Sequence, residues 1–185
     1  TQQSTQLILI TGLPGSGKTT FARTLAEQLG LPRLNTDGIR TDLGLRGKYD
    51  EDTKHLVYEE LLRRAVTYLH AGSSVIVDAT FSTPVIRQPF VEQAKRLKIP
   101  IRWIELEASE HVIRNRVSFQ RPDSEADFGV YLELKKIYTS PDEPHLSLQS
   151  DHLSLWDMVC ATRRYLAKLA QQHKHDQSAD QTTAA

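Results

Sequence analysis

A chain of 185 residues with a single cysteine, Cys160, cannot form an intramolecular disulfide, which fits a reducing cytoplasmic setting. Long apolar runs are missing as well. The strongest, Leu7 to Ile10 and Val75 to Val77, fall far short of the ~20 residues a helix needs to cross a bilayer. The first residues, "TQQSTQ", lack the basic and apolar regions of a signal peptide. Nor is there an excess of charge: 23 Lys and Arg meet 23 Asp and Glu, so no global field draws the chain to nucleic acid or an acidic membrane. Aromatics are only 7% and form no evident stacking platform for bases. These absences predict a soluble cytoplasmic protein with no membrane partner, and the length suits one domain with a sizeable core.

What is present is a regular alternation of short apolar runs and helix-length segments. Strands are expected at Leu7 to Thr11, Arg33 to Thr36, Ser74 to Asp78, Ile101 to Glu107 and His145 to Gln149. Between them, residues 17 to 29 place Phe21, Ala22, Leu25, Ala26 and Leu29 on one face, with Gly30 as the stop. Residues 51 to 70 carry a second apolar stripe, 109 to 120 follow Ser109 as N-cap, and 123 to 138 form another helix-length stretch. In "TPVIRQPFVEQAKRL", Pro89 removes an interior hydrogen bond, so a turn is expected first and a helix from about residue 89. The last helix opens at Ser154 and Asp157 with the spacing of a capping box and runs to about residue 172. Residues 173 to 185 read as a disordered polar tail. Such alternation predicts a three-layer α/β fold: a parallel sheet of about five strands covered by helices on both faces.

The chemistry begins at "GLPGSGKT", which fits G-x-x-x-x-G-K-[ST] at every fixed position and lies between an expected strand and an expected helix. Gly12, Gly15 and Gly17 let backbone N–H groups turn inward around phosphate oxygens. Leu13, Pro14 and Ser16 complete the loop, and Thr20 lies beside it in the first helical turn. The helix aims its unsatisfied N–H groups at the same anion. Lys18 is assigned to the β- and γ-phosphates and Thr19 to Mg²⁺. The stretch is a nucleoside triphosphate site.

Its partners narrow the reaction type. Asp78 ends a strand where a second carboxylate near Mg²⁺ is expected, although a strand-end Asp can also cap the next turn. The following residue is Ala79, not the Glu of water-activating motor ATPases, and no N-K-x-D guanine motif occurs. In "LNTDGIR", Asp37 and Arg40 share a face if a helix starts there. Asp37 is then a candidate base for an acceptor hydroxyl and Arg40 a candidate anion contact. Spacing alone equally allows an N-cap and a solvated arginine. Farther on, "RNRVSFQR" supplies Arg114, Arg116 and Arg121 as candidates for a charge clamp on a mobile lid, or as a basic helix face balanced by Glu105, Glu107 and Glu110.

At these residues the chain resembles the small AAA-type P-loop proteins grouped as predicted kinases. Those are related to the kinase domain of polynucleotide 5′-kinases and, more distantly, to zeta toxins, gluconate kinases and chloramphenicol phosphotransferase. The resemblance covers about residues 6 to 170 and rests on "GLPGSGKTTFA", "LNTDGIR", "VIVDATF" with Arg87 soon after, and the arginine-rich segment with "DSEAD". It implies a P-loop kinase domain over residues 1 to 172, with a helical lid at about 110 to 139. It further implies ATP and Mg²⁺ as cofactors, Asp37 as general base, Arg40 on an acceptor-side anion, and Asp78 beside Mg²⁺ or the acceptor. Arg121, or else Arg116, would stabilise the γ-phosphoryl group. Two departures stand out. Arg116 and Arg121 are five apart where relatives often space them by four, and Ser124-Glu125-Ala126 stands where many show Ser-Asp-Ala.

The expected activity is transfer of the γ-phosphoryl group of ATP to a hydroxyl. The acceptor could be a small molecule or, less favoured, a nucleic-acid 5′ end. The latter draws on eight Lys or Arg against four Glu in residues 87 to 121. The alternative is a regulatory ATPase or switch without an acceptor.

Overall fold

The structure is a computed structural model that describes residues 4–120 and 124–183. Five parallel strands are present: β1 (Leu7–Thr11), β2 (Arg33–Asn35), β3 (Val75–Asp78), β4 (Ile101–Glu107) and β5 (His145–Gln149). Their order is β2-β3-β1-β4-β5, so β1 occupies the centre and its carboxyl end becomes the middle of the working edge. Side chains alternate across the sheet and divide the core in two. Leu7, Leu9, Val75, Val77 and Trp103 face α3 (Glu51–His70) and α4 (Pro84–Leu97). Ile8, Ile10, Ile76, Ile104 and Leu106 face α1 (Lys18–Leu29) and α7 (Leu155–Thr183). Every residue of β1 is buried, which is why "LILIT" reads as one unbroken apolar run and not as alternation.

The remaining helices shape the edge where the strands end. α2 (Thr36–Asp42) follows β2 at once, while α5 (Glu110–Gln120) and α6 (Ser124–Ile137) follow β4. Local signals explain the boundaries. Gly30 ends α1 in the left-handed region at φ 62°, where its N–H bonds Ala26 and Glu27 carbonyls. Ser154 Oγ accepts from the Asp157 N–H at 3.1 Å, so the capping spacing is used as expected.

Two expectations are corrected. α4 is continuous from Pro84, with Pro89 inside it. Pro84 sits at the first helical position, where its missing N–H is harmless. The carbonyl that Pro89 leaves unbonded belongs to Val85, an 81% exposed residue in the first turn, and burial of Arg87, Phe90 and Ala94 holds the helix down. α7 continues past residue 172 to Thr183, through residues read as a polar tail. No Gly or Pro occurs in that span to stop it. Among the described residues no helix is long and apolar enough to cross a membrane.

Candidate active site

The P-loop leaves the centre of the sheet and turns on glycines that admit no side chain. Gly12 has φ 144°, and a Cβ there would meet the Leu106 carbonyl oxygen at 2.3 Å. Gly15 has φ 80°, and its Cβ would meet Ile113 of α5 at 2.9 Å. Gly17, at φ 93°, is the N-cap of α1 and offers no side-chain cap, so the first N–H groups of that helix keep their capacity for an anion. Leu13 and Pro14 are half-buried, Ser16 is buried, and Thr19 and Thr20 are exposed at the start of α1.

Lys18 is the first residue of α1, and its Nζ donates to the Leu13 carbonyl at 3.0 Å. Burial lowers its pKa from 10.5 to about 8, while the charges of Asp78 and Asp37 act in the opposite direction. Lys18, Asp37 and Asp78 lie on three different elements that follow or end β1, β2 and β3, which are neighbours in the sheet.

Asp78 ends β3 and is 4% exposed. Burial raises its pKa, and the chief opposing influence is Arg33, whose Nη1 donates to Asp78 Oδ2 at 2.5 Å. Arg33 opens β2 two residues before Asn35, the register partner of Asp78, so period-two geometry aligns the two side chains on one face. No motif pointed to Arg33; the one hint was an arginine opening the strand expected at Arg33 to Thr36.

Asp37 and Arg40 lie together on α2, with Arg40 Nη1 3.6 Å from Asp37 Oδ1. The cap of this helix is Asn35, whose Oδ1 accepts from the Gly38 N–H at 2.6 Å. Asp37 is therefore not the N-cap, and its side chain is 84% exposed. Nor is Arg40 a solvated surface residue: it is 9% exposed, its guanidinium lies over the Tyr49 ring at 4.7 Å, and its buried Nε has no partner. A half-satisfied buried guanidinium beside an open carboxylate is an arrangement suited to receiving an anion.

The arginines after β4 divide. Arg116 reaches from α5 to the Gly15 carbonyl at 3.2 Å, and to Ser150 at 2.9 Å for Oγ and 2.8 Å for the carbonyl. Ser150 Oγ in turn donates to the Ser16 carbonyl at 2.6 Å. Arg116 thus ties α5, the P-loop and the β5–α7 loop together. Arg114 lies over the Phe128 ring at 4.0 Å. Arg121 lies outside the described residues.

Arg87 is turned away from solvent. It is 3% exposed and donates to the carbonyls of Phe81, Thr139 and Ser140 and to Thr139 Oγ1, at 2.7 to 3.2 Å. Glu105 does not balance a surface either, because it is 1% exposed within β4. The Tyr138 hydroxyl donates to its Oε1 at 2.7 Å, and His145 Nε2 lies 3.2 Å from its Oε2. The same hydroxyl lies 3.2 Å from Oγ1 of Thr11, the residue that leads into the P-loop. Burial, first of all, pushes the Tyr138 phenol pKa upward, which keeps it a donor. A glutamate in the apolar strand "IRWIELE" was the available signal for this network.

Beside the P-loop, on the β4–β5 side, a cavity of about 430 Å³ opens between the strand ends and α5 and α6, bordered by Leu13, Ser16, Tyr131 and Asp151. It lies across β1 from Asp37 and Asp78.

The family pattern described as an AAA domain matches residues 7–141, and the chain belongs to that family. It is 37% identical over 94 residues to an uncharacterized protein of Mycobacterium tuberculosis, which covers 44% of this chain and 19% of that one. It is 27% identical over 115 residues to the bifunctional polynucleotide phosphatase/kinase of Schizosaccharomyces pombe, covering 62% and 24%. The chain thus spans about a fifth to a quarter of these two longer relatives. Adenylate kinase of Mycobacterium bovis is 30% identical over 175 residues, 82% of this chain and 90% of the enzyme.

Among solved structures, a gluconokinase from Sinorhizobium meliloti superposes with TM-score 0.71 at 19% identity, covering 95% of this chain and 99% of that one. The Mycobacterium tuberculosis APS kinase CysC, in complex with AMPPNP and APS, gives 0.71 at 19% identity, covering 89% and 98%. The fold is that of the P-loop kinases, related to sugar, gluconate and APS kinases and to polynucleotide kinase domains.

Proposed function

We propose that this protein transfers the γ-phosphoryl group of ATP to an acceptor hydroxyl. Kinship with nucleotide and small-molecule kinases supports phosphotransferase activity. The observation that supports the reading further is the placement of Lys18, Asp37 and Asp78 at the carboxyl ends of β1, β2 and β3, which lie side by side in the parallel sheet. Such a reaction needs positioning and electrostatics and no covalent intermediate.

The uncapped start of α1 and the glycine turns suit a triphosphate, with Lys18 on its terminal phosphates. Thr19 and Asp78 offer the hard oxygen donors that Mg²⁺ prefers; Arg33 takes Asp78 Oδ2, and no hydrogen bond among the described residues occupies Oδ1. When bound, Mg²⁺ neutralises charge on the phosphate oxygens. Asp37, open to solvent on α2, accepts the proton of the attacking hydroxyl. Arg40 holds an anionic group of the acceptor through its unpartnered Nε. Arg116 positions the P-loop against α5, and the final clamp on the γ-phosphoryl group falls to Arg121. A small acceptor is favoured over nucleic acid, because Arg87 and Arg116, two of the eight basic residues between 87 and 121, are spent on internal carbonyls.

The test is incubation with γ-labelled ATP, Mg²⁺ and pooled acceptors: 5′-hydroxyl oligonucleotides, nucleosides, sugars and aminoglycosides. Label should reach one class and be lost in Lys18→Ala. Asp37→Asn should keep nucleotide affinity and lose transfer by about 10²- to 10⁴-fold. Unchanged transfer in Asp37→Asn refutes the base assignment. Tight ATP binding with no labelled acceptor favours a regulatory ATPase instead.

A further inference from the structure

A phosphate loop binds its anion through peptide N–H groups, and a planar trans peptide points its C=O away from its N–H. A group that holds the carbonyl from behind therefore aims the N–H in front. Two side chains outside the loop do this here. Arg116 Nη1 donates to the Gly15 carbonyl at 3.2 Å, and Ser150 Oγ donates to the Ser16 carbonyl at 2.6 Å in a buried bond.

The two peptides differ in what their N–H groups are left to do. The Gly15–Ser16 peptide spends its N–H on the Leu13 carbonyl at 3.2 Å. The Ser16–Gly17 peptide keeps its own: among the described residues no acceptor takes the Gly17 N–H. Gly17 is also the N-cap of α1, so this N–H lies where the helix already favours an anion. Ser150 thus governs the peptide whose donor is still available.

Ser150 is placed with little freedom. It follows β5 directly, its N–H extends the β4–β5 ladder to the Glu107 carbonyl at 2.8 Å, and it is 9% exposed. Its hydroxyl proton has one destination. Arg116 Nη1 donates to Ser150 Oγ at 2.9 Å, and a guanidinium accepts nothing, so the proton of Ser150 goes to the Ser16 carbonyl. Donation runs from cation to hydroxyl to carbonyl, and each bond polarises the next. The Gly17 N–H, on the far side of the same peptide, becomes a stronger donor.

We propose that Ser150 is a positioning residue for the triphosphate: it locks the Ser16–Gly17 peptide with the Gly17 N–H toward the phosphates and relays the positive charge of Arg116 into that N–H. This rests on the triphosphate site proposed above and deepens it, since a residue distant from the loop in sequence sets the strength of one of its donors.

Ser150→Ala removes the hydroxyl and keeps the backbone bond to Glu107. Calorimetry compares ATP and inorganic tripolyphosphate on the parent and the variant, with the urea midpoint of each as a check on folding. Both ligands should weaken by about tenfold, the worth of one hydrogen bond. Selective ¹⁵N-glycine labelling of the nine glycines reads the peptide directly. In the ligand-free variant the Gly17 amide resonance should shift, while those of Gly30, Gly44 and Gly72 stay in place. A general loss of packing would lower the urea midpoint without singling out Gly17. Parent-like affinity in Ser150→Ala, a loss confined to ATP with tripolyphosphate unchanged, or an unmoved Gly17 resonance would each overturn the role of Ser150 and leave the triphosphate site standing. Absence of ATP and tripolyphosphate binding by the parent would overturn both.

Discussion

Replacing Arg33 with methionine removes a charged partner bonded to the buried Asp78 carboxylate. The Asp78 side chain is 5% exposed and that of Arg33 20%, with 2.5 Å between them. Methionine keeps the aliphatic packing of Arg33 but leaves Asp78 a buried charge with the smaller influence of Lys18 to offset it. Breaking a buried pair from one side costs about 3–5 kcal/mol, a large part of the stability of an ordinary domain. Burial already lifts the Asp78 pKa above its usual 3.8, so the folded state holds a proton more tightly than the unfolded chain does. Loss of Arg33 lifts it further. The deficit of Arg33→Met should therefore be largest near pH 8 and shrink toward pH 5, as the folded state takes up the proton. Urea unfolding at both pH values reads this directly, and Arg33→Met with Asp78→Asn should recover most of the loss because no charge stays buried. A deficit below about 1 kcal/mol, the size of a surface pair, or one that grows on acidification, refutes the reasoning.

Two further outcomes follow from the same kind of accounting. Because the Lys18 pKa is about 8 in the free protein and a triphosphate favours its charged form, nucleotide binding should take up a proton between pH 8 and 9. Affinity should be flat well below pH 8 and fall by up to about tenfold per pH unit from about pH 8 upward; calorimetry in buffers of different ionisation enthalpy measures the uptake, and pH-independent binding from 7.5 to 9.5 contradicts it. Arg87→Met removes four hydrogen bonds donated by a buried cation and strands the carbonyls of Phe81, Thr139 and Ser140. It should lower stability by about 3 kcal/mol or more, seen in the urea midpoint, and speed proteolysis after α6; a midpoint like that of the parent would show that these bonds add nothing net.

The P-loop was legible because its chemistry is local. Glycines with positive φ, a lysine and a threonine at fixed offsets, and the helix start that follows all lie within one short stretch. The strands were legible for a similar reason, since a buried parallel strand is a short apolar run of β-formers. α4 was misjudged because the cost of Pro89 is local, whereas the compensation comes from residues distant in sequence: Phe90 is buried in the core beneath the sheet and Arg87 is held by Thr139 and Ser140. Asp37 and Arg40 were found as a pair, but spacing could not separate a cap from a site. That choice rests on Asn35, whose side chain takes the capping bond two positions earlier.

The amino-acid sequence by itself determined the layered parallel fold, the phosphate loop and the pair on α2, because each depends on periodicity or on backbone needs met by neighbours in the chain. Only the tertiary structure decided what the isolated charges do. Arg33 meets Asp78 across 45 residues, Tyr138 meets Glu105 across 33, and Arg87 bridges to Thr139 across 52. A charge in a sequence carries no record of its burial or partner; folding removes the water that would have solvated it, and the partner that replaces that water is set by how strands and helices pack.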